Sequence, residues 1–168
     1  MPPAASNVLR LAAYDHELIA CLLARFGMAL ELAPDGLPIE GSFWGDEEAG
    51  LLGNRLLARG DTPLHSILHE TCHYVCMDAT RRADLDTDAS GDYDEENAVC
   101  YLQVLLATSL PGIGPEGMFR DMDAWGYSFR LGSAKQWFEQ DAQDARQWLV
   151  QHELITPSGA PTYRLREK

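Results

Sequence analysis

Positive charge is scarce in this chain: 13 lysines and arginines stand against 26 aspartates and glutamates, for a formal net charge of -13. Such a chain repels phosphate backbones and anionic headgroups, which proteins approach with clustered Lys and Arg, so neither nucleic acid nor a membrane is expected as a direct partner. Long apolar runs are missing too. No stretch of about 18 apolar residues occurs that could cross a bilayer. The opening "MPPAASNVLRLAAYDHELIACLLARFG" lacks the basic region, uninterrupted apolar core and small-residue cleavage site of an export signal. A soluble, cytoplasmic protein is the expectation. Four cysteines, at 21, 72, 76 and 100, fall short of a disulfide scaffold and fit a reducing compartment. With no internal repeat and no low-complexity linker, residues 1–168 are expected to form one domain, and 46% apolar residues suffice for a core.

The apolar pattern changes register along the chain. Leu9, Ala12, His16, Ile19, Leu23 and Phe26 recur every three or four residues and predict one amphipathic helix from Asn7 to Phe26. Short apolar runs separated by "PDG", "GDEEAG" and Gly60 then predict two or three strands of a small antiparallel sheet, with a tight turn at Asp35-Gly36. Gly53-Asn54 reads either as a two-residue hairpin turn or as a bulge in one longer strand, and the longer strand is preferred. "DTPLHSILHETCHYVCMDATRR" predicts a helix with Thr62 as N-cap, Pro63 at its first position and arginines at its far end. A further helix starts inside an acidic run and ends at Pro111-Gly112. "PGIGPEG" is read as a loop, "MFRDMDAWGYSFRLG" as a short helix and turn, and Ser133 opens a helix to about residue 153 with Trp137, Ala145 and Trp148 facing inward. "ITPSGAPTYRLREK" is expected to form a small hairpin.

The chemistry concentrates in "HETCH", residues 69 to 73. His69 and His73, four apart, stand one turn above each other on one helical face and can converge on one Zn2+ at roughly 2.0 to 2.1 Å. Glu70 lies about 100° round the axis, where it can serve a water on that metal without ligating it. That is the arrangement metal-assisted hydrolysis needs, with Glu70 as general base. His65, one turn earlier, is too far along the axis to join both histidines on one ion. It reads as a polar residue at the rim or as a substrate contact. Cys76 could offer a thiolate but reads first as core, as does Cys72.

This segment resembles the HExxH zinc metallopeptidases, the zincins. The resemblance implies an α+β fold in which an edge strand before the motif helix pairs with an extended peptide substrate, a role that would fall to residues around Leu51 to Ala58. The metzincin extension is absent, since "YVCMDATRR" follows the motif. In the gluzincin branch the third ligand is a glutamate on a following helix. Tyr or His donors commonly serve the developing oxyanion in this clan, and His65, Tyr93, Tyr127 and Tyr163 are the candidates here.

The acidic run "DLDTDASGDYDEENAVC" admits three readings. As a calcium loop it matches at Asp86, Asp88, Ser90, Gly91 and Asp94 but places Asn97 where the bidentate glutamate belongs. As a solvated turn it needs no ligand. Its end supplies the two candidates for a third zinc ligand, Glu95 and Glu96. Glu95 shares a stripe with Val99, Leu102 and Leu106; Glu96 shares one with Cys100, Gln103 and Ala107, from which Gln103 could hydrogen-bond a ligand. "ENAVCYLQ" resembles the aminopeptidase-type gluzincin segment, which favours Glu96. The same helix also resembles small gluzincin-like regulators, which would favour Glu95. Taken together, the expectation is a zincin-like α+β domain acting as a cytoplasmic zinc peptidase on a peptide or protein, with His69, His73 and Glu96 as ligands. The alternatives are a non-catalytic metal-binding regulatory module and a non-peptide zinc hydrolase. The ligand types do not by themselves select zinc over Mn2+.

Overall fold

Seven α-helices and a three-stranded mixed sheet make up an α+β architecture among residues 7–168, the part of the chain that the computed structural model describes. Residues 1–6, where the single-domain reading and the search for an export signal begin, lie outside it. The strands are β1 (Ala29–Leu32), β2 (Gly50–Leu52) and β3 (Arg55–Ala58), in the order β1-β3-β2. β2 and β3 form an antiparallel hairpin with Leu52 opposite Arg55, whereas β1 runs parallel to β3 with Ala29 opposite Arg55. The antiparallel expectation thus holds for one pair only. Gly53, at φ +58°, reverses the chain, so Gly53-Asn54 is the hairpin turn and not a bulge in one strand. The Asp35-Gly36 turn forms, with the Leu37 amide donating to the Pro34 carbonyl at 3.2 Å, but it opens the loop 33–49 instead of joining two strands.

The first helix is shorter than its apolar period. α1 (His16–Ala24) starts after Asp15, whose carboxylate caps the Glu17 amide at 2.9 Å. Ahead of it the backbone pairs with the approach to the next helix: Leu11 N–H donates to the Thr62 carbonyl, Ala12 to Gly60, and Leu64 to Leu9. Those tertiary bonds compete successfully with helical ones over residues 7–15.

α2 (Leu64–Cys76) carries "HETCH". Pro63 sits at its N-cap, one position before the one expected, and the Thr62 hydroxyl instead accepts from the Arg59 amide. α2 stops before the arginines. Asp78 caps α3 (Ala79–Ala83), and Arg82 on α3 folds back to donate to the Tyr74 and Met77 carbonyls at 2.9 and 2.6 Å. A cation therefore meets the C-terminal carbonyls of α2 after all, through a detour of the backbone. α4 (Tyr93–Ala107) is capped by Asp92. α5 (Gly114–Trp125) begins within the segment read as a loop, with proline in its first turn. The long helix expected from Ser133 is two, α6 (Ala134–Gln140) and α7 (Gln143–Gln151), divided at Asp141-Ala142, where Arg130 pairs with Asp141. Trp137 and Ala145 are buried as expected and Trp148 is half-buried. A single bridge between Ile155 and Pro161 closes the final turn.

α2 packs against the sheet on one side and α4 on the other, and α5 and α7 pack on α4. Leu51, Leu56 and Ala58 from the sheet, Ile67, Leu68 and Val75 from α2, and Val99, Leu102 and Leu106 from α4 belong to one hydrophobic cluster. Each residue of Val or Leu size buried there contributes about 1.5 to 3 kcal/mol. Every residue of α2 is buried except His69. No helix among the described residues is long and apolar enough to cross a membrane.

Candidate metal centre

The four-residue spacing on α2 brings the His69 and His73 rings to 4.7 Å between centroids, with their Nε2 atoms 3.2 Å apart. Glu96, from the first turn of α4, places Oε1 3.4 Å from His73 Nε2 and Oε2 3.9 Å from His69 Nε2. One ligand atom from each of the three lies within 4.8 Å of the others, and no other such group of His, Cys, Asp or Glu occurs among the described residues. Tetrahedral ligands at zinc bond lengths sit about 3.3 Å apart, close to these separations.

Proton bookkeeping shows why the three fit a cation. His69 Nδ1 meets Gln103 Oε1 at 2.9 Å; that oxygen can only accept, so the His69 proton is on Nδ1 and its Nε2 presents a lone pair. Burial holds His69 below the ordinary histidine value and His73 well below it, so both rings are neutral. Glu96 brings two further acceptor oxygens, and burial raises its pKa. Two ring nitrogens and two carboxyl oxygens thus converge as potential acceptors, and the buried Nδ1 of His73 has no partner among the described residues. A cation resolves that excess of lone pairs.

Glu95, the alternative, is engaged elsewhere. Its carboxylate, 3% exposed, accepts from Arg81 through both oxygens at 2.8 Å and from Arg166 at 3.0 Å. The calcium-like loop gathers no ligand group: Asp88 is taken by the amide and hydroxyl of Ser90, and Asp86 by Thr87. Cys72 and Cys76 are fully buried in the core, with thiols pushed well up by burial, and neither joins the three ligand atoms.

Glu70 is 6% exposed and accepts no hydrogen bond from the described residues. Burial, with the charges of Glu48 and Glu96 adding to it, pushes its pKa up to about 8. Beside a dication a carboxyl returns toward its ordinary value, where it can accept a proton at neutral pH.

Two of the four proposed oxyanion donors stand here. The Tyr127 ring lies 5.6 Å from that of His69. Gln103 Nε2 donates to the Tyr127 oxygen at 3.4 Å, and the hydroxyl can donate to His65 Nδ1 at 3.2 Å, leaving the His65 proton on an Nε2 with no partner among the described residues. Burial lowers the His65 pKa to about 3 and raises that of Tyr127, so both remain neutral donors. His65 is 1% exposed, a buried residue and not one at a rim. Tyr93 is 80% exposed, and Tyr163 packs on Phe26 and Arg25.

Glu48 was not foreseeable. It sits in the loop 33–49, spans Trp125 Nε1 (2.8 Å) and Ser66 Oγ (2.7 Å), and adds negative charge beside Glu70. No periodicity or spacing in "GDEEAG" separates it from Glu47. The peptide-pairing role suggested for Leu51 to Ala58 meets an obstacle: β3 is paired on both sides, and at the outer edge of β2 Leu51 donates to the Gly41 carbonyl and accepts from the Thr87 amide.

Gln103→Leu removes the acceptor that orients His69, and we expect Zn2+ affinity to drop about 10- to 100-fold. Competition with a chromophoric chelator would measure it, and unchanged affinity would show that Gln103 does not orient the ligand. Comparison with family models, with curated proteins and with solved structures finds no match to this chain.

Proposed function

We propose that this protein is a cytoplasmic, zincin-like zinc hydrolase of gluzincin type that cleaves peptide bonds in a peptide or protein, with His69, His73 and Glu96 holding the metal and Glu70 acting as general base. The observation that carries this reading is the convergence of three acceptor groups on one point next to a buried carboxyl that accepts no hydrogen bond from the described residues. Bound there, zinc supplies Lewis acidity toward a carbonyl oxygen and toward water. Glu70 takes a proton from the water that attacks the carbonyl carbon and passes it to the departing amine as the C–N bond breaks. Tyr127, kept protonated by burial, turns its one hydroxyl proton from His65 Nδ1 to the oxygen on which negative charge develops. Gln103 keeps the His69 ring in the tautomer that presents Nε2.

The covered edge of β2 favours a second reading, a metal-binding regulatory module with no catalysis, because it leaves no site on residues 51–58 for an added peptide strand. A broad peptide library incubated with the zinc-loaded protein separates the two. Cleavage that stops on chelation and returns with Zn2+ is expected. Tight, equimolar zinc binding without cleavage of any peptide would favour the module, and no zinc binding would overturn both.

A further inference from the structure

Glu95 and Glu96 are adjacent on a helix, about 100° apart around its axis, so only one of them can face His69 and His73 at a time. What holds the first turn of α4 in its observed rotation lies outside the ligand set. Arg81, on α3, grips both oxygens of Glu95 and also donates to the Ser90 carbonyl at 3.2 Å. Arg166 reaches the same carboxylate from another direction while bound to the end of α2. Its amide donates to the Val75 carbonyl at 3.0 Å and its guanidinium to the Cys76 carbonyl at 3.1 Å. The Arg166 carbonyl in turn accepts from Arg82, and Glu167 accepts from the Ala79 amide. Gly91 completes the pocket, since a Cβ there would overlap the Glu95 carboxylate.

A short physical path therefore runs from one set of ligands to the other: His73, the carbonyls two and three residues beyond it, Arg166, Glu95 and Glu96. We propose that Arg166 and Arg81 are positioning residues for the metal centre. By capturing Glu95 they turn Glu96 toward the histidines, and Arg166, close to the C-terminal end of the sequence, sets metal affinity without touching the metal. This inference rests on the reading of His69, His73 and Glu96 as ligands.

Two measurements on the whole protein test it. In chelator competition, Arg166→Ala is expected to weaken Zn2+ binding about 10- to 100-fold, the range seen when the support of a ligand is removed. Arg166→Lys should recover part of the loss. Arg164→Ala, whose exposed side chain pairs among the described residues with Glu153 alone, should bind as wild type does. Folded Arg166→Ala with wild-type affinity overturns the proposal. Should that variant not fold, hydrogen exchange on the wild type decides. Coupling is reciprocal, so Zn2+ should protect the Arg166 amide more than the Thr156 amide, which bonds within the turn 156–160. Equal protection of the two amides overturns the proposal. A wild-type protein that takes up no Zn2+ overturns the ligand reading itself, an outcome distinct from either of the others.

Discussion

Glu70→Gln is expected to lower peptide cleavage by about 10²- to 10⁴-fold, the contribution of a positioned general base, and to leave zinc affinity within a few-fold of wild type. The amide keeps the shape of the carboxyl but cannot take the proton from water. The comparison is made on zinc-loaded wild type and variant, with metal content measured in both. Cleavage that survives the substitution would sink Glu70 as the base while leaving the ligand assignment standing. The same variant has a signature in protein held in chelator. Folded, Glu70 keeps its proton up to about pH 8; unfolded, it loses it near the ordinary value of 4.5. The folded state thus holds an extra proton between these values. Its contribution to stability is full below about pH 4.5 and is lost as pH rises to 8, by an amount on the order of a few kcal/mol. Thermal melts in chelator at about pH 5 and pH 8 should differ more for wild type than for Glu70→Gln, and equal differences would show that the carboxyl is not buried in this way.

Alanine at the two neighbouring glutamates should differ most in its effect on stability. Glu95→Ala leaves two guanidiniums without their carboxylate, and breaking a buried pair in this manner costs about 3 to 5 kcal/mol. The lower end applies because the Arg81 side chain stays 38% exposed. For a chain of this size about 3 kcal/mol corresponds to a drop of roughly 6 to 12 °C in Tm. Glu96→Ala removes a carboxylate that burial disfavours, so its Tm in chelator should stay near wild type while Zn2+ affinity falls by more than about 100-fold. Melts in chelator and chelator competition on both variants check the pair. A Glu96→Ala protein that melts early and binds zinc normally would reverse the roles of the two residues.

The neighbouring glutamates also mark where sequence reading stops. The spacing of His69 and His73 is a local property of a helix, and so is the helical pattern that carries them, so this part was legible, although Pro63 and not Thr62 stands at the cap. Gln103 was found because it lies two helical turns from Glu96 on one stripe. The choice between Glu95 and Glu96 was not local: it depends on Arg81, 14 residues away, and Arg166, 71 residues away. The same physics explains the errors in the fold. The period of residues 7–26 is real, but backbone bonds to residues 60–64 claim its first half. The parallel pairing of β1 with β3 depends on a crossing through the loop 33–49 that no short window contains. Glu48 belongs to that loop, and only tertiary packing places it next to Ser66 and Trp125.

Of the 13 residues of the helix that carries "HETCH", His69 alone is not buried. Under the proposed function its residues are committed twice, to chemistry and to the core, and almost any change along it is also a change in packing. On that reading, selectivity for one substrate over another is more readily varied from the loop 33–49, whose Glu48 reaches Ser66 and Trp125 without joining the ligand group. A library built on that loop would then diversify what the proposed centre accepts while the α2 scaffold stays constant.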